Sequence, residues 1–297
     1  MMTQRPLRLA IFGNCHQAEK SASIREVLAC LRRKGDDILM EREFYDFLTL
    51  GQHIPVDATT VFDGDRFDAD FVISMGGDGT FLRSAHFVGS KNIPVMGVNT
   101  GRLGFLADVR PVEIETAIDA LHAGEFELEA HAVIEVLTDG AALKTCPRAL
   151  NDIAVLKRDN ASMISIRTTV NGHYLNTYQA DGLIVSTPTG STAYSLSNGG
   201  PIIVPQTGTL CLTAVAPHSL NVRPIVVKDD SQIEITVESR SHNFLIAVDG
   251  RSEKCDENTR LTIRRAPHSI MIVRRSGQGY FSTLRQKMSW GMDTRGA

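Results

Sequence analysis

The chain has no C-x-x-C pair, no H-E-x-x-H pattern and no apolar run close to a membrane span, and each absence removes a class of function. Cys15, Cys30, Cys146, Cys211 and Cys255 are odd in number and scattered, so five reduced thiols are expected rather than a disulfide framework or a cysteine zinc site. The nine histidines stand singly, and no structural metal is expected from them. Near the N-terminus the longest apolar stretch, Leu9-Ala10-Ile11-Phe12, is too short for a signal segment. Nothing approaches the about 20 residues that cross a bilayer, so a soluble, cytoplasmic protein without a membrane partner is expected. Net charge is only −3 with the basic residues dispersed, which argues against a nucleic-acid surface. Internal repeats and low-complexity linkers are also missing. What is present is 297 residues of ordinary apolar content, enough for two domains of roughly 100–200 residues each.

The first half alternates strand-like and helix-like segments, as in a parallel sheet with covering helices. Leu7 to Phe12 reads as a strand. Ser21 is placed to cap a helix whose Ile24, Val27, Leu28 and Leu31 share a face, and Gly35 is placed to end it in a left-handed conformation. Further strands are expected at Asp37 to Met40, Phe71 to Ser74 and Ile93 to Val98, and a helix at about Pro111 to Leu121 closed by Gly124. From Phe126 the helical period gives way to short alternating strands. Asp139-Gly140, Asn171-Gly172 and Asp249-Gly250 have the composition of two-residue hairpin turns. The expected architecture is therefore an α/β nucleotide-binding domain over 1–124 and a mostly antiparallel, β-sandwich-like domain over 125–278. A helix in 279–297, with Phe281, Leu284 and Met288 on one side, is expected to dock on the first domain or on a partner subunit.

Three loops carry the candidate chemistry. Gly76-Gly77-Asp78-Gly79-Thr80 follows an apolar strand and precedes a helical stretch. Glycines there admit positive φ and let backbone N–H groups approach phosphate at a helix N-terminus. Asp78 suits a hydroxyl that must lose a proton, or a magnesium ion bridging phosphates. It equally suits a plain helix cap. Gly97 to Leu106, including Asn99, is a second glycine-rich stretch after a strand, expected at the same sheet edge, where α/β folds bind ligands. The third, Asp181 to Ser195 continuing through Asn198-Gly199-Gly200-Pro201, runs an apolar strand into a row of hydroxyls with Tyr194 among them. Hydroxyls and free N–H groups bind phosphate and ribose, and Tyr194 offers a face to a base. Such residues also populate turns for local reasons. The P-loop pattern is missing, the dehydrogenase G-x-G-x-x-G fails at Leu82, and no G-x-S-x-G elbow supports a serine nucleophile.

Together, Gly76 to Thr80, Gly97-Val98-Asn99 to Leu106, Leu150-Asn151-Asp152 and Asp181 to Pro201 resemble bacterial NAD kinase over nearly the whole chain. The G-G-D-G loop is shared with diacylglycerol, sphingosine and phosphofructokinase-type kinases; the D-G-L-I-V-S-T-P-T-G-S-T-A-Y-S run is far more specific. The resemblance implies ATP-dependent phosphorylation of the 2′-hydroxyl of the adenosine ribose of NAD, and a homodimer or homotetramer. It implies that Asp78 assists deprotonation of the ribose hydroxyl while Gly76, Gly77, Gly79 and Thr80 form the phosphate loop. Asn99 belongs with the second loop, and Phe105 and Leu106 wall the pocket. Asn151 and Asp152 hold adenosine and ribose groups. Thr189, Thr192, Ala193, Tyr194 and Ser197 form the adenosine side, and Asp181 holds the nicotinamide carboxamide, in one reading from a neighbouring subunit. Mg2+ or another divalent cation arrives with ATP, and no protein metal ligand is assigned.

Two positions depart from the resemblance: Asp152, where the family more often has Glu, and His131, where it commonly has Arg. A lipid kinase of the diacylglycerol or sphingosine type is the nearest alternative, and a non-catalytic NADP-binding sensor the second. The polar Asp181 to Ser197 segment speaks against an apolar acceptor, and a sensor has no need of Asp78. The sequence leaves open ATP or polyphosphate as donor, and NAD alone or NADH as well as acceptor.

Overall fold

Parallel strands and antiparallel strands mark two different parts of this chain. A computed structural model describes residues 5–15, 21–58, 60–101, 103–140, 142–158, 162–275 and 279–290. Contacts divide the chain into two units, residues 1–129 with 270–297, and residues 130–269. The divisions therefore fall inside the strands Phe126–Thr138 and Leu261–Arg275 rather than at 124 and 278.

In the first unit, Arg8–Gly13, Phe71–Gly76 and Val95–Asn99 are buried at nearly every position, as strands of a parallel sheet covered on both faces are. The strand order is the end of Leu261–Arg275, then Val95–Asn99, Phe71–Gly76, Arg8–Gly13, Asp37–Glu41 and Thr60–Phe62, with every neighbouring pair parallel. Ala107–Val109 joins Val95–Asn99, also in parallel. Helices Ser21–Lys34 and Ile114–Ala123 cover one face, where Ile24, Val27, Leu31, Ile114, Ile118 and Leu121 share a core with Leu9, Ile11 and Ile73. On the other face the Phe12 ring lies 5.4 Å from Phe62 and 5.7 Å from Phe87, the latter in helix Asp78–Val88. Gly35 and Gly124 take positive φ where those helices stop, as expected. Ser21 is the first residue of its helix rather than the residue before it, and a 3-10 turn over Pro111–Glu113 leads into Ile114–Ala123. The C-terminal helix, Tyr280–Met288, buries Leu284 but leaves Phe281 exposed, a departure from the expected packing face. Tyr280 packs instead, with its ring centroid 6.4 Å from that of Phe105.

The second unit is antiparallel throughout its described pairings. One sheet has the order Ile225–Lys228, Thr209–Val215, Gly182–Ser186, Asp152–Leu156, Asn243–Val248 and Arg251–Asp256. The other contains His173–Ala180, Ile164–Val170, Ile233–Glu238 and residues 261–263. Alternate residues of both sheets, among them Ile153, Leu183, Leu212, Ile166, Ile235 and Ile263, form one core, as in a sandwich. Asn171-Gly172 and Asp249-Gly250 form the expected two-residue hairpins with positive φ at all four residues. Asp139-Gly140 does not: neither residue has positive φ, and Phe126–Thr138 next pairs with Arg148–Ala149 after a longer connection. The Asp139 carboxylate accepts the Arg260 N–H at 2.9 Å, a bond to a residue distant in the chain that local composition does not show.

Candidate active site

The first unit builds its site from a strand end and two loops. Gly77 is the N-cap of helix Asp78–Val88, with φ −97° and ψ −170°. Asp78, in the first turn, does not cap its own helix. Its carboxylate reaches across to the second glycine-rich stretch, where Oδ2 accepts the N–H of Phe105 at 3.0 Å and Oδ1 accepts those of Leu106 at 3.0 Å and Ala107 at 3.1 Å. Three backbone donors hold the ionised carboxylate in one orientation. A carboxylate has about four acceptor positions, so Oδ2, with one donor, is the oxygen left able to receive a hydroxyl proton.

Gly76, Gly77 and Gly79 do not adopt the positive φ expected of them. What they supply is the missing side chain: a Cβ on Gly76 would fall 2.3 Å from Thr80 Oγ1, while Gly77 and Gly79 face open space. Open backbone at a helix N-terminus suits a phosphate. Asn99 is buried, its amide donating to Ala107 O and its oxygen accepting the Gly101 N–H, so it shapes the loop from within. Leu106, expected to wall the pocket, is buried as well and its N–H meets Asp78. The half-buried Phe105 ring has Tyr280 beside it and Lys287 Nζ 5.8 Å from its centroid.

Sequence reasoning missed Arg274. Its Nη1 meets Asp108 at 2.7 Å, its Nε meets Glu129 at 2.9 Å, and its Nη2 donates to the Phe105 carbonyl at 3.3 Å. A largely buried guanidinium thus ties the carbonyl of the loop residue whose N–H holds Asp78. Nothing in the local pattern around Arg274 signals this, because its partners lie more than a hundred residues away.

In the second unit, the hydroxyl row sorts itself by burial. Ser186, Thr187, Ser191 and Ser195 are buried, and the last three are tied to the fold by hydrogen bonds. Thr187 Oγ1 donates to Leu150 O at 2.6 Å, Ser191 Oγ donates to Pro188 O at 2.7 Å, and Ser195 Oγ lies 2.8 Å from Thr213 Oγ1. Thr189, Thr192, Ala193, Tyr194 and Ser197, the residues singled out as binding positions, are the ones left half-buried or exposed. They lie on a 3-10 turn, Thr189–Thr192, and a short helix, Tyr194–Ser197, rather than on an open loop. His131 is buried and its Nδ1 lies 2.7 Å from Thr189 Oγ1, which connects the departing residue to the binding row.

Asn151 and Asp152 lie against this row. A Cβ on Gly190 would fall 2.1 Å from Asn151 O, so the row approaches the turn as closely as backbone allows. Asn151 Oδ1 is buried without a hydrogen-bond partner, the state of an acceptor awaiting a donor. Asp152 is buried, and desolvation followed by the charge of Asp249 raises its pKa to about 7. Asp249, also raised by burial, accepts three backbone N–H groups, so of the two carboxyls Asp152 is the one to hold the proton.

Asp181 is not brought to these residues. It precedes Gly182–Ser186, whose five residues at about 3.3 Å each separate it from the hydroxyl row, and it pairs with Lys157 Nζ at 2.7 Å. A cavity of about 280 Å³ in the first unit, lined by Arg25, Leu28, Arg32, His53, Ile54 and Val56, contains none of the expected site residues. Among the described residues no cluster of three His, Cys, Asp or Glu could hold a metal ion, and no helix is long and apolar enough to cross a membrane.

Comparison with known proteins gives a consistent picture. Residues 9–126 match the family model described as the ATP-NAD kinase N-terminal domain, and residues 150–275 match the ATP-NAD kinase C-terminal domain. The chain is 56% identical to an NAD kinase of Bacteroides fragilis over 97% of its own length and all of that protein. It is similar in fold to a yeast NADH kinase complexed with NADH, with a TM-score of 0.85 and 21% identity over 99% of this chain and 91% of that one. An NAD kinase from Archaeoglobus fulgidus in complex with ATP gives a TM-score of 0.72 and 26% identity over 95% and 98% of the two chains.

Proposed function

The chain belongs to the ATP-NAD kinase family, and from that premise we propose that it transfers the γ-phosphoryl group of ATP to the 2′-hydroxyl of the adenosine ribose of NAD, giving NADP. The observation that carries the reading is the Asp78 cradle: a carboxylate fixed by three N–H groups, with an acceptor position left on Oδ2, beside open glycine backbone at a helix N-terminus. In this reading Asp78 accepts the proton of the 2′-hydroxyl as its oxygen bonds to the γ-phosphorus and the bond to ADP breaks. Gly76, Gly77, Gly79 and Thr80 receive phosphate, and the Phe105 ring walls the pocket. The divalent cation comes as part of the substrate, MgATP; such an ion is commonly held by phosphates and water with few protein ligands.

Asn151 and Asp152 are assigned to adenosine and ribose groups, supported by the unpartnered Asn151 Oδ1. Thr189, Thr192, Ala193, Tyr194 and Ser197 take the adenosine side, supported by their standing out of the buried row. Asp181 reaches the nicotinamide carboxamide of a neighbouring subunit in a homodimer or homotetramer, a reading its separation from the row favours. Five unbridged cysteines suit a reducing compartment and support a cytoplasmic location. No observation favours a lipid kinase or a silent NADP sensor.

The test is a coupled assay in which purified protein receives NAD, ATP and Mg2+ and NADP formation is followed with an NADP-specific dehydrogenase. NADP from the wild type, lost on chelation of Mg2+, is expected. Absence of NADP with both ATP and polyphosphate as donors would overturn the proposal.

A further inference from the structure

Leu150, Asn151 and Asp152 direct three consecutive backbone N–H groups to one side of the chain, an arrangement that ordinarily forms a nest for an anion. Here a side chain of the same unit fills it. Asp249 Oδ2 accepts from Leu150 N–H at 2.8 Å, and Oδ1 accepts from Asn151 N–H at 2.8 Å and Asp152 N–H at 3.2 Å. The Asp249 N–H in turn donates to Asp152 O at 3.0 Å. On the carbonyl side, Thr187 Oγ1 donates to Leu150 O and the Thr187 N–H donates to Asn151 O at 2.9 Å. The turn is thus held from both sides, while Asn151 Oδ1 and the Asp152 carboxyl accept no donor from it.

Asp249 occupies a hairpin turn with φ +46°, a conformation Asp tolerates better than most residues, and Gly250 follows with φ +78°. Turn formation alone explains an Asp-Gly pair, and that is all its composition signals. Turn formation does not require the carboxylate to accept three amides from another strand end. Of the charged groups facing it, Arg251 belongs to the hairpin itself and is committed to the carbonyls of Val248 and Arg148. The other is Asp152, on strand Asp152–Leu156.

We infer that Asp249 is a positioning residue for NAD binding: its carboxylate substitutes for an anion in the nest at Leu150 to Asp152 and so aims Asn151 and Asp152 at the adenosine-bearing part of NAD. The inference rests on the reading that those two residues contact NAD. It assigns Asp249 two effects, one geometric and one electrostatic. Its hydrogen bonds fix the turn, and its negative charge adds to burial in raising the pH at which neighbouring Asp152 ionises.

The experiment compares wild type with Asp249→Asn, Asn151→Ala and Asp152→Asn, measuring KM for NAD, KM for ATP, kcat and thermal midpoint, and the pH profile of KM for NAD for each. Asparagine at 249 has one acceptor oxygen and no charge, so it cannot reproduce the three contacts. Asp249→Asn is expected to raise KM for NAD about 10-fold, about 1.4 kcal/mol. KM for ATP is expected to stay within twofold; the wild-type NAD profile is expected to bend near pH 7, where Asp152 ionises, and that inflection to move to lower pH in the variant. A purely architectural role would lower the thermal midpoint and raise both KM values without moving that inflection, and this result overturns the inference. Asn151→Ala and Asp152→Asn separate the premise from the inference. If neither raises KM for NAD, the site reading fails and takes the inference with it. Where both raise it and Asp249→Asn does not, the inference alone fails. Should Asp249→Asn not fold, Asp249→Glu keeps the charge but displaces it by one methylene. A rise in KM for NAD alone is then expected, and an unchanged value overturns the inference.

Discussion

Gly104 and Asp78 approach so closely that a Cβ placed on residue 104 would lie 2.0 Å from Asp78 Oδ1. The carboxylate occupies the space a side chain would take, which is how it reaches the amides of residues 105–107. Gly104→Ala must therefore displace either the loop or the carboxylate. A misplacement near 1 Å can cost about 10²-fold in rate. We expect kcat to fall by about that factor in a protein with an unchanged thermal midpoint. Wild-type kcat in Gly104→Ala would mean that the position of Asp78 does not matter to turnover.

If Asp78 is the base of the proposed reaction, Asp78→Asn removes it while keeping a group of the same size. General-base contributions are typically about 10²–10⁴-fold. NAD binding, followed by titration calorimetry, is expected to stay within a modest factor while kcat falls by that range. If turnover is retained, Asp78 is an architectural tie between two loops and no more.

His131 and Thr189 are expected to act as a unit through their 2.7 Å contact. A double-mutant cycle with His131→Ala and Thr189→Val, read in KM for NAD, should give a coupling of about 0.5–3 kcal/mol, as residues in contact do. Strict additivity would show that the buried imidazole has no influence on the hydroxyl.

The raised pKa of Asp152 has a definite sign for stability. The folded state favours the protonated acid, so a penalty develops as pH rises above the ordinary carboxylate value of 3.8 and is complete above about 7. Stability of the ligand-free protein should fall across that window from this group and level off beyond it. Asp152→Asn should flatten the thermal midpoint measured between pH 5 and 8. A variant as pH-dependent as the wild type would assign the dependence to another group.

The Lys157 and Asp181 side chains are 23% and 34% exposed, so solvent weakens their pairing despite a separation of 2.7 Å. Exposed pairs contribute about 0.2–1 kcal/mol. Asp181→Asn should change urea unfolding by less than that while raising KM for NAD in the assembled oligomer. Light scattering that finds only monomer, with KM unaffected by the substitution, would remove Asp181 from the site.

The sequence disclosed more of the site's chemistry than of its support. Glycines around Asp78 and a row of hydroxyls from Ser186 are local signals; the first precede a helix as expected, while the second lie on a 3-10 turn and a short helix instead of an open loop. Which hydroxyls face outward was not legible, since Thr187 and Thr189 differ only in partners supplied by Leu150 and His131. Arg274, Gly104 as a contact of Asp78, and Asp249 as a support for the turn all depend on residues distant in the chain. The helices ending at Gly35 and Gly124 were readable because their period and their stop signals agree. Thr60–Phe62 and Ala107–Val109 were not, because three residues carry no period and their strand partners define them. Asp139-Gly140 misled for the converse reason: a turn-forming dipeptide was used for a long-range hydrogen bond.

The strand Leu261–Arg275 places its beginning in one unit and its end in the other, at the border of the parallel sheet, where Ile272 pairs with Val95. During synthesis this reverses the usual order, in which the N-terminal domain completes first. Residues 130–269 form a contiguous stretch and have all their strands once residue 269 has emerged. The first unit, begun earlier, waits for residues 270–275 to supply the strand that pairs with Val95–Asn99, and Arg274. Ribosome-bound chains arrested shortly after residue 269 clears the exit tunnel should resist protease over 130–269 while 1–129 is still cut; equal resistance of both would contradict this order. The Asp78 loop thus acquires its brace only after residue 274 has been made, so a chain terminated before that point carries the Asp78 carboxylate without the guanidinium that ties its loop.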